Sequence, residues 1–259
     1  MQRKKLKYKF SEFRILIANF MTNFRSLCGI FFLSLTFVGT AHAQKAVPAA
    51  FNAKDPIALY GTEMQFDIMR SGKKIGDHLV RFDTNDDKIV VNSASRMQID
   101  ILFFTAFQYR YDSRAIWRDG ILNKLEISVN DDGTLFSMLA DQQGSRLRLT
   151  RRTNSLDINL PIYPTNHWNA EVLKQDQVLN TLTGEINNVL INAAGYENVK
   201  TESGIIPAMR YTYTGDLINE VWYDDMGRWV KLRFKGRDGS VIEYVCRQCQ
   251  GGMTSQMAQ

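Results

Sequence analysis

NEVWYDDMGRWVKLRFKGRDGSVIEY, residues 219–244, contains three aromatic and β-branched runs at 220–223, 228–234 and 240–245. Asp-Asp-Met-Gly (224–227) and Arg-Asp-Gly (237–239) part them. Gly and Asp accept the positive φ that tight turns demand, so this punctuation predicts three strands joined as antiparallel hairpins. The same grammar runs upstream. In 63–69, Met64, Phe66 and Ile68 fall on one face and Glu63, Gln65 and Asp67 on the other, the period of a half-solvated strand. Arg70-Ser-Gly-Lys-Lys turns that run into 75–82, and Asn85-Asp-Asp leads into 88–97. Turn signals recur about every ten to thirteen residues through Asp119-Gly120, Asp132-Gly133 and Gln143-Gly144, which favours one large antiparallel meander over βαβ units. Further strands are predicted at 178–184, 189–193, 197–201 and 209–214, with Gly195, Gly204 and Gly215 as turns. The one helix predicted lies in 161–173, capped by Thr165 or Asn166 and carrying Trp168, Val172 and Leu173 over an open end or face of the sheet.

The 259-residue chain carries a net charge of +5, which invites a nucleic-acid or membrane-surface reading. The N-terminus removes it. Residues 1–26 hold seven basic side chains, 27–38 (LCGIFFLSLTFV) form an uncharged, mostly apolar run, and Ala41-His-Ala43 follows. A basic region, a short apolar region and an A-x-A site make up a cleaved secretory signal, and twelve residues are too few to span a bilayer comfortably. Cleavage after Ala43 takes away seven of the 32 basic and one of the 27 acidic residues, leaving 25 against 26 and a net charge of −1. The basicity belongs to the signal, and nucleic acid loses its compositional support. The expected organisation is a signal at 1–43, a loose lead at 44–58, one β domain at 59–250 and a flexible tail at 251–259. A periplasmic or secreted location follows, with no stable transmembrane segment after cleavage.

Residues 99–107 (IDILFFTAF) are the most apolar stretch of the exported part. Without strict alternation they suit a fully buried strand, a short helix or a lip around an apolar cavity, with core packing the default. As a ligand surface the candidates are Ile101, Leu102, Phe103, Phe104 and Phe107, with Tyr109 and Trp117 beside them and Trp168 as a lid.

His78 and His167 have no Cys, Asp or Glu at metal-ligand spacing, so surface or satisfied histidines are the expectation. No G-x-S-x-G elbow, glycine-rich phosphate loop, H-E-x-x-H or Ca²⁺ loop is present, and no catalytic residue, metal or cofactor is assigned. Cys246-Arg-Gln-Cys249 lacks the following His of a haem site, since position 250 is Gln. Zinc would need both histidines to converge on it, and a redox dithiol would want a helix N-terminus. A local disulfide between Cys246 and Cys249, formed after export, is the favoured reading.

Tyr223-Asp224-x-x-Gly227-Arg228 with Asp238-Gly239-Ser240 and Tyr244 resembles one unit of the YD repeats of Rhs-type toxins, over about twenty residues. A wider resemblance rests on Gly72-x-x-x-Gly76, Trp117-x-Asp-Gly120, Pro164-Thr-Asn-His-Trp168-Asn169, Thr183-Gly184 and Val221-Trp-Tyr-Asp224 with Gly227-Arg228. These together look like a family of exported Gram-negative bacterial proteins classed as a domain of unknown function. That resemblance implies a signal-bearing, single-domain, β-rich envelope protein and transfers no catalytic residues. At the level of plan, the chain is similar to the curved sheets with a covering helix of periplasmic lipoprotein carriers.

The expected fold is all-β, a strongly curved antiparallel sheet or incompletely closed barrel of about ten to twelve strands with one short covering helix. The expected function is a non-catalytic binding module holding a lipid or other apolar ligand. An envelope interaction protein without a ligand is the alternative, and an enzyme the weakest reading. The export reading predicts an intact mass beginning at Gln44 and two hydrogens light for the Cys246–Cys249 bridge; a chain recovered with Met1 in place would refute it.

Overall fold

A computed structural model describes residues 55–251 apart from Asp86, Thr153 and the side chain of Ile101. The signal-like segment, residues 44–54 of the lead and residues 252–259 of the tail lie outside the described residues. The described part begins with helix α1 (Pro56–Tyr60), whose start is fixed by Pro56 and by Asp55 accepting from the Ala58 amide. Helix α1 takes in only the last residues, 56–58, of the segment expected to be a loose lead; residues 44–54 of that segment lie outside the described residues.

Eight strands then follow as a meander: β1 (Glu63–Arg70), β2 (Lys73–Asn85), β3 (Lys88–Ile101), β4 (Phe104–Arg118), β5 (Ile121–Asp131), β6 (Thr134–Gln143), β7 (Arg146–Arg151) and β8 (Ser155–Asn159). A second series comprises β9 (Tyr163–Pro164), β10 (Gln177–Leu179), β11 (Ile186–Thr201), β12 (Gly204–Gly215), β13 (Asn219–Tyr223), β14 (Trp229–Lys235) and β15 (Val241–Gln248). All fifteen belong to one sheet in the order β8 to β1, then β15 down to β9, so the first and last strands pair at its middle. Every ladder is antiparallel except β9–β10.

The sheet's two edges, β8 and β9, are separated in the chain by three residues, Leu160 to Ile162. Laid flat, fourteen inter-strand steps would hold those edges about 65 Å apart, whereas the link from Asn159 to Tyr163 reaches about 14 Å. The sheet must therefore curl until its edges nearly meet. No ladder joins β8 to β9 among the described residues, so the barrel is unclosed by hydrogen bonds. Side chains span the seam instead: Arg151 Nη1 donates to the Gly184 carbonyl at 3.2 Å, and the Trp117 ring lies 5.8 Å from that of Tyr163.

Alternation decides which residues fill the interior. Met64, Phe66 and Ile68 are fully buried, as the pattern in β1 predicts. Residues 219–244 form β13, β14 and the start of β15, with turns at 224–227 and 236–239. The strand count exceeds the expected ten to twelve, and the short edge strands at 155–159 and 163–164 are ones that the sequence reading did not name. Two further predictions are corrected. Gly195 is no turn: with φ +95° it occupies a bulge between Ala193 and Tyr196 inside the single strand β11. Strand β10 stops at Leu179, and Thr183-Gly184 belongs to the following loop.

The predicted covering helix shrinks to a 3-10 turn, Ala170–Lys174, with Asn169 rather than Thr165 or Asn166 as its cap. Trp168 lies in the bend before it and is 1% exposed, packed edge-on to Trp117 and Phe82 at 5.6 Å each. Gly76 marks where β2 runs closest to β3; a Cβ there would collide with the Arg96 carbonyl. Gly76→Ala should lower unfolding free energy by about 1–3 kcal/mol, measured by urea titration, while the turn variant Gly72→Asn stays within about 0.5 kcal/mol of the parent.

Candidate functional site

Antiparallel alternation gathers the β1–β2, β3–β4, β5–β6, β10–β11, β12–β13 and β14–β15 turns at one end of the barrel. A cavity of about 630 Å³ opens there. Its upper walls are apolar: Met97 and Ile99 from β3, Phe107 from β4, Leu232 and Phe234 from β14, and Ile242 from β15. At the mouth Arg70 pairs with Asp238 and Arg237 with Asp131, so these charges are largely self-compensated. Ser240 donates to Asp238 through its hydroxyl and its amide, which, ahead of Arg70, draws the exposed carboxyl down to about 2.

The inner end is polar and uncharged. The segment Thr165–Asn166–His167 crosses the barrel there, facing His78 and Ser95 across the cavity. Two phenols clamp that segment: Tyr223 donates to the His167 carbonyl and Tyr60 to the Trp168 carbonyl, each at 2.8 Å. Tyr60 also accepts the Trp229 amide at 3.0 Å. The Trp229 ring lies 5.7 Å from both imidazoles and 4.2 Å from Phe66. Burial drives His78 down to about 3, with the nearby His167 adding to the effect, and burial alone brings His167 to about 3. Burial also pushes the Tyr244 phenol up to about 12. At neutral pH none of these groups carries charge.

His78 Nδ1 and Ser95 Oγ lie 2.8 Å apart, a contact that invites a nucleophile reading. Two features oppose it. An imidazole at about 3 is a poor general base, and His78 Nε2 has no carboxylate or other partner to orient it.

The sequence candidates divide three ways. Phe107 and Tyr109 line the cavity. Leu102, Phe103 and Phe104 form the tip of the β3–β4 hairpin and are 85%, 101% and 60% exposed, so core packing is overturned for them, and none of the three lines the cavity. For Ile101 only the backbone, at the end of β3, is described. Trp117 and Trp168 do not line the cavity. They pack against each other with Phe82 and Tyr163 at the closed end, so Trp168 is a plug in the core and no lid.

Both histidines correct the expectation of surface or satisfied residues, being 5% and 3% exposed and each keeping one ring nitrogen without a partner. The signal for His78 was in the alternation, since it shares the inward parity of Val80 and Phe82 on β2. His167 carried no such signal, because its position depends on clamps from distant parts of the chain, Tyr60 of α1 and Tyr223 of β13.

The C-terminal motif serves the opposite end. Cys246 and Cys249 are bonded, and the Glu202 carboxylate accepts the Cys249 amide at 2.8 Å. Buried Asp224 accepts from the Arg228 guanidinium at 2.7 Å and the Gln250 amide group at 3.0 Å, while Gln250 accepts from Thr201 at 2.7 Å. The Asp224-x-x-Gly227-Arg228 pattern is thus a structural lock. Glu202 is the only group that joins the two cysteines in a metal-like cluster among the described residues, and the bridge occupies both sulfurs.

Curled sheet, lateral seam and end-on cavity define a β-barrel-like protein with a built pocket. The chain belongs to the family described as a domain of unknown function, DUF6134, whose model matches residues 66–247. Among solved structures it is similar to the crystal structure of a β-barrel-like protein of domain of unknown function DUF1849 from Brucella abortus, with a TM-score of 0.51 and 10% identity over 73% of this chain and 96% of that one. At that identity the likeness concerns the fold alone. No curated protein matches the chain.

The buried imidazoles make stability depend on pH. Each titrates near 6.5 when unfolded and near 3 when folded, so between those values the unfolded chain binds more protons. Their contribution is complete above about pH 6.5 and is lost as pH falls, by on the order of 2 kcal/mol per histidine at about pH 5. Urea midpoints should therefore drop between about pH 7 and about pH 5. The drop should be clearly smaller in a His78→Phe/His167→Asn double variant, and an equal drop would assign the effect to other groups.

Proposed function

We propose that the protein is a non-catalytic binding module that holds an apolar or lipid-like molecule in the end-on cavity, and that it works in the periplasm or outside the cell. The observation that carries this reading is the cavity of about 630 Å³ with apolar upper walls. That volume lies within the range of small-ligand sites, which are concave and largely apolar with a few placed polar groups. Leu182 and Ile218 line the cavity and are exposed, so its apolar lining reaches the surface, and the β3–β4 tip adds exposed Leu102, Phe103 and Phe104 at the same end of the barrel. The basic region, apolar run and A-x-A site at residues 1–43 support export.

A second reading has its own observation. A fully exposed Phe103 between exposed Leu102 and Phe104 is the kind of apolar tip that contacts an envelope partner, with or without a ligand inside the barrel. No helix among the described residues is long and apolar enough to cross a membrane.

The test uses the uncharged fluorophore N-phenyl-1-naphthylamine. Its emission should rise saturably on titration with the protein at about pH 7. Met97→Trp, which places an indole in the half-buried upper wall, should weaken that binding at least about tenfold with little change in thermal midpoint. Unsaturable emission, or equal binding by the variant, would remove the cavity as the site and leave the exposed tip as the functional surface.

A further inference from the structure

We infer that the inner end of the cavity is a recognition site for an uncharged hydroxyl group carried at the end of an apolar chain or ring system. This rests on the cavity reading above and adds what the ligand's inner end must be.

Four side chains from three parts of the chain carry it. His78 of β2, Asn166 and His167 of the crossing segment and Asn219 of β13 are 5%, 7%, 3% and 8% exposed, and all line the cavity. Each keeps a buried polar atom without a partner: His78 Nε2, Asn166 Nδ2, His167 Nδ1 and Asn219 Oδ1. An unmet buried donor or acceptor costs about 1–3 kcal/mol, so four around one cavity are an expensive arrangement unless something meets them. Their placement follows from the fold. His78, Ser95 and Tyr111 form one inward row across β2, β3 and β4, and Asn219 is in register with Tyr213, whose ring lies 5.9 Å from His167.

His167 adds an independent observation. Its φ of +58° is in the left-handed region, which costs a non-glycine residue on the order of 1–3 kcal/mol. The Tyr223 and Tyr60 hydroxyls hold this backbone through the carbonyls of His167 and Trp168. The chain is thus constrained to present an imidazole where a relaxed segment would not.

Donor and acceptor character then select the ligand. Asn166 Nδ2 only donates, Asn219 Oδ1 only accepts, and a neutral imidazole nitrogen does either according to tautomer. A hydroxyl both donates and accepts and meets such a set. A methyl terminus meets none of it. A carboxylate would enter a buried region without a compensating cation, because Arg70 and Arg237 are at the mouth and already paired, and Lys235, the other cation of the lining, is exposed to solvent. Burial keeps both imidazoles neutral, which agrees with this selection.

The experiment displaces N-phenyl-1-naphthylamine at about pH 7 with n-decanol, n-decane and sodium decanoate. The expected result is an n-decanol midpoint at least about tenfold below those of the other two. In Asn166→Leu, and separately in His78→Phe, the alcohol-over-alkane ratio should fall by at least about fivefold while fluorophore binding persists. Neither position needs the left-handed backbone of His167, and a ratio between competitors is insensitive to modest changes in stability. Equal displacement by alcohol and alkane, stronger displacement by decanoate, or an unchanged ratio in both variants would overturn the inference and leave the cavity reading standing. A failure of the fluorophore to bind the parent protein would overturn both.

Discussion

A three-residue link between the two edges of a fifteen-stranded sheet governs the rest of this structure. Strand β8 ends one side and β9 begins the other, so the chain cannot pass between them unless the sheet curls back on itself. Curling creates an inside, and the inside sorts side chains by parity: Met64, Phe66 and Ile68 from β1, then His78, Val80 and Phe82 from β2. The seam is bridged by Arg151 and by the tilted Trp117–Tyr163 ring pair, without a ladder. The same link places the crossing segment 165–168 inside the barrel, where it divides the interior into a packed end and an open one.

The two ends of the barrel carry different polar groups. Towards the packed end the charged groups and amides are joined: Asp224 with Arg228 and Gln250, Gln250 with Thr201, and Glu202 with the backbone beside the Cys246–Cys249 bridge, while the Trp117 and Trp168 indole N–H groups keep no partner. Satisfied networks in low dielectric rigidify what they join. At the open end the polar groups of His78, Asn166, His167 and Asn219 are left incomplete. A barrel anchored at one end tolerates such deficits at the other, because the turns that carry the walls are fixed below by ladders and by the Tyr60 and Tyr223 clamps.

Much of the fold was legible in the sequence because alternation and turn chemistry are local. Residues 219–244 gave three strands and both turns almost to the residue. Where the signal was weak the reading slipped: Gly195 has the positive φ of a turn glycine yet makes a bulge, a difference set by the partner strand β12. The site was less legible. Phe107 and Tyr109 could be picked out as aromatic residues next to an apolar run, and both face the cavity. Trp117 and Trp168 drew attention for the same reason, but large aromatics fill cores as readily as they line sites, and only three-dimensional packing separates the two. His167 was invisible as a cavity residue, since its orientation comes from phenols about 56 and 107 residues away in the chain.

The pairing of β1 with β15 also sets an order in time. Each meander can form hairpins from near neighbours as the chain emerges, but the ladder that joins them pairs Phe66 with Cys246. Until the final strand arrives, the middle of the future sheet has two unpaired edges and the barrel has no interior. Folding is therefore gated by the pairing of β15 with β1, and so slow in the manner of non-local β topologies. A chain made from its N-terminus gains its enclosed interior only once β15 has been added beside β1.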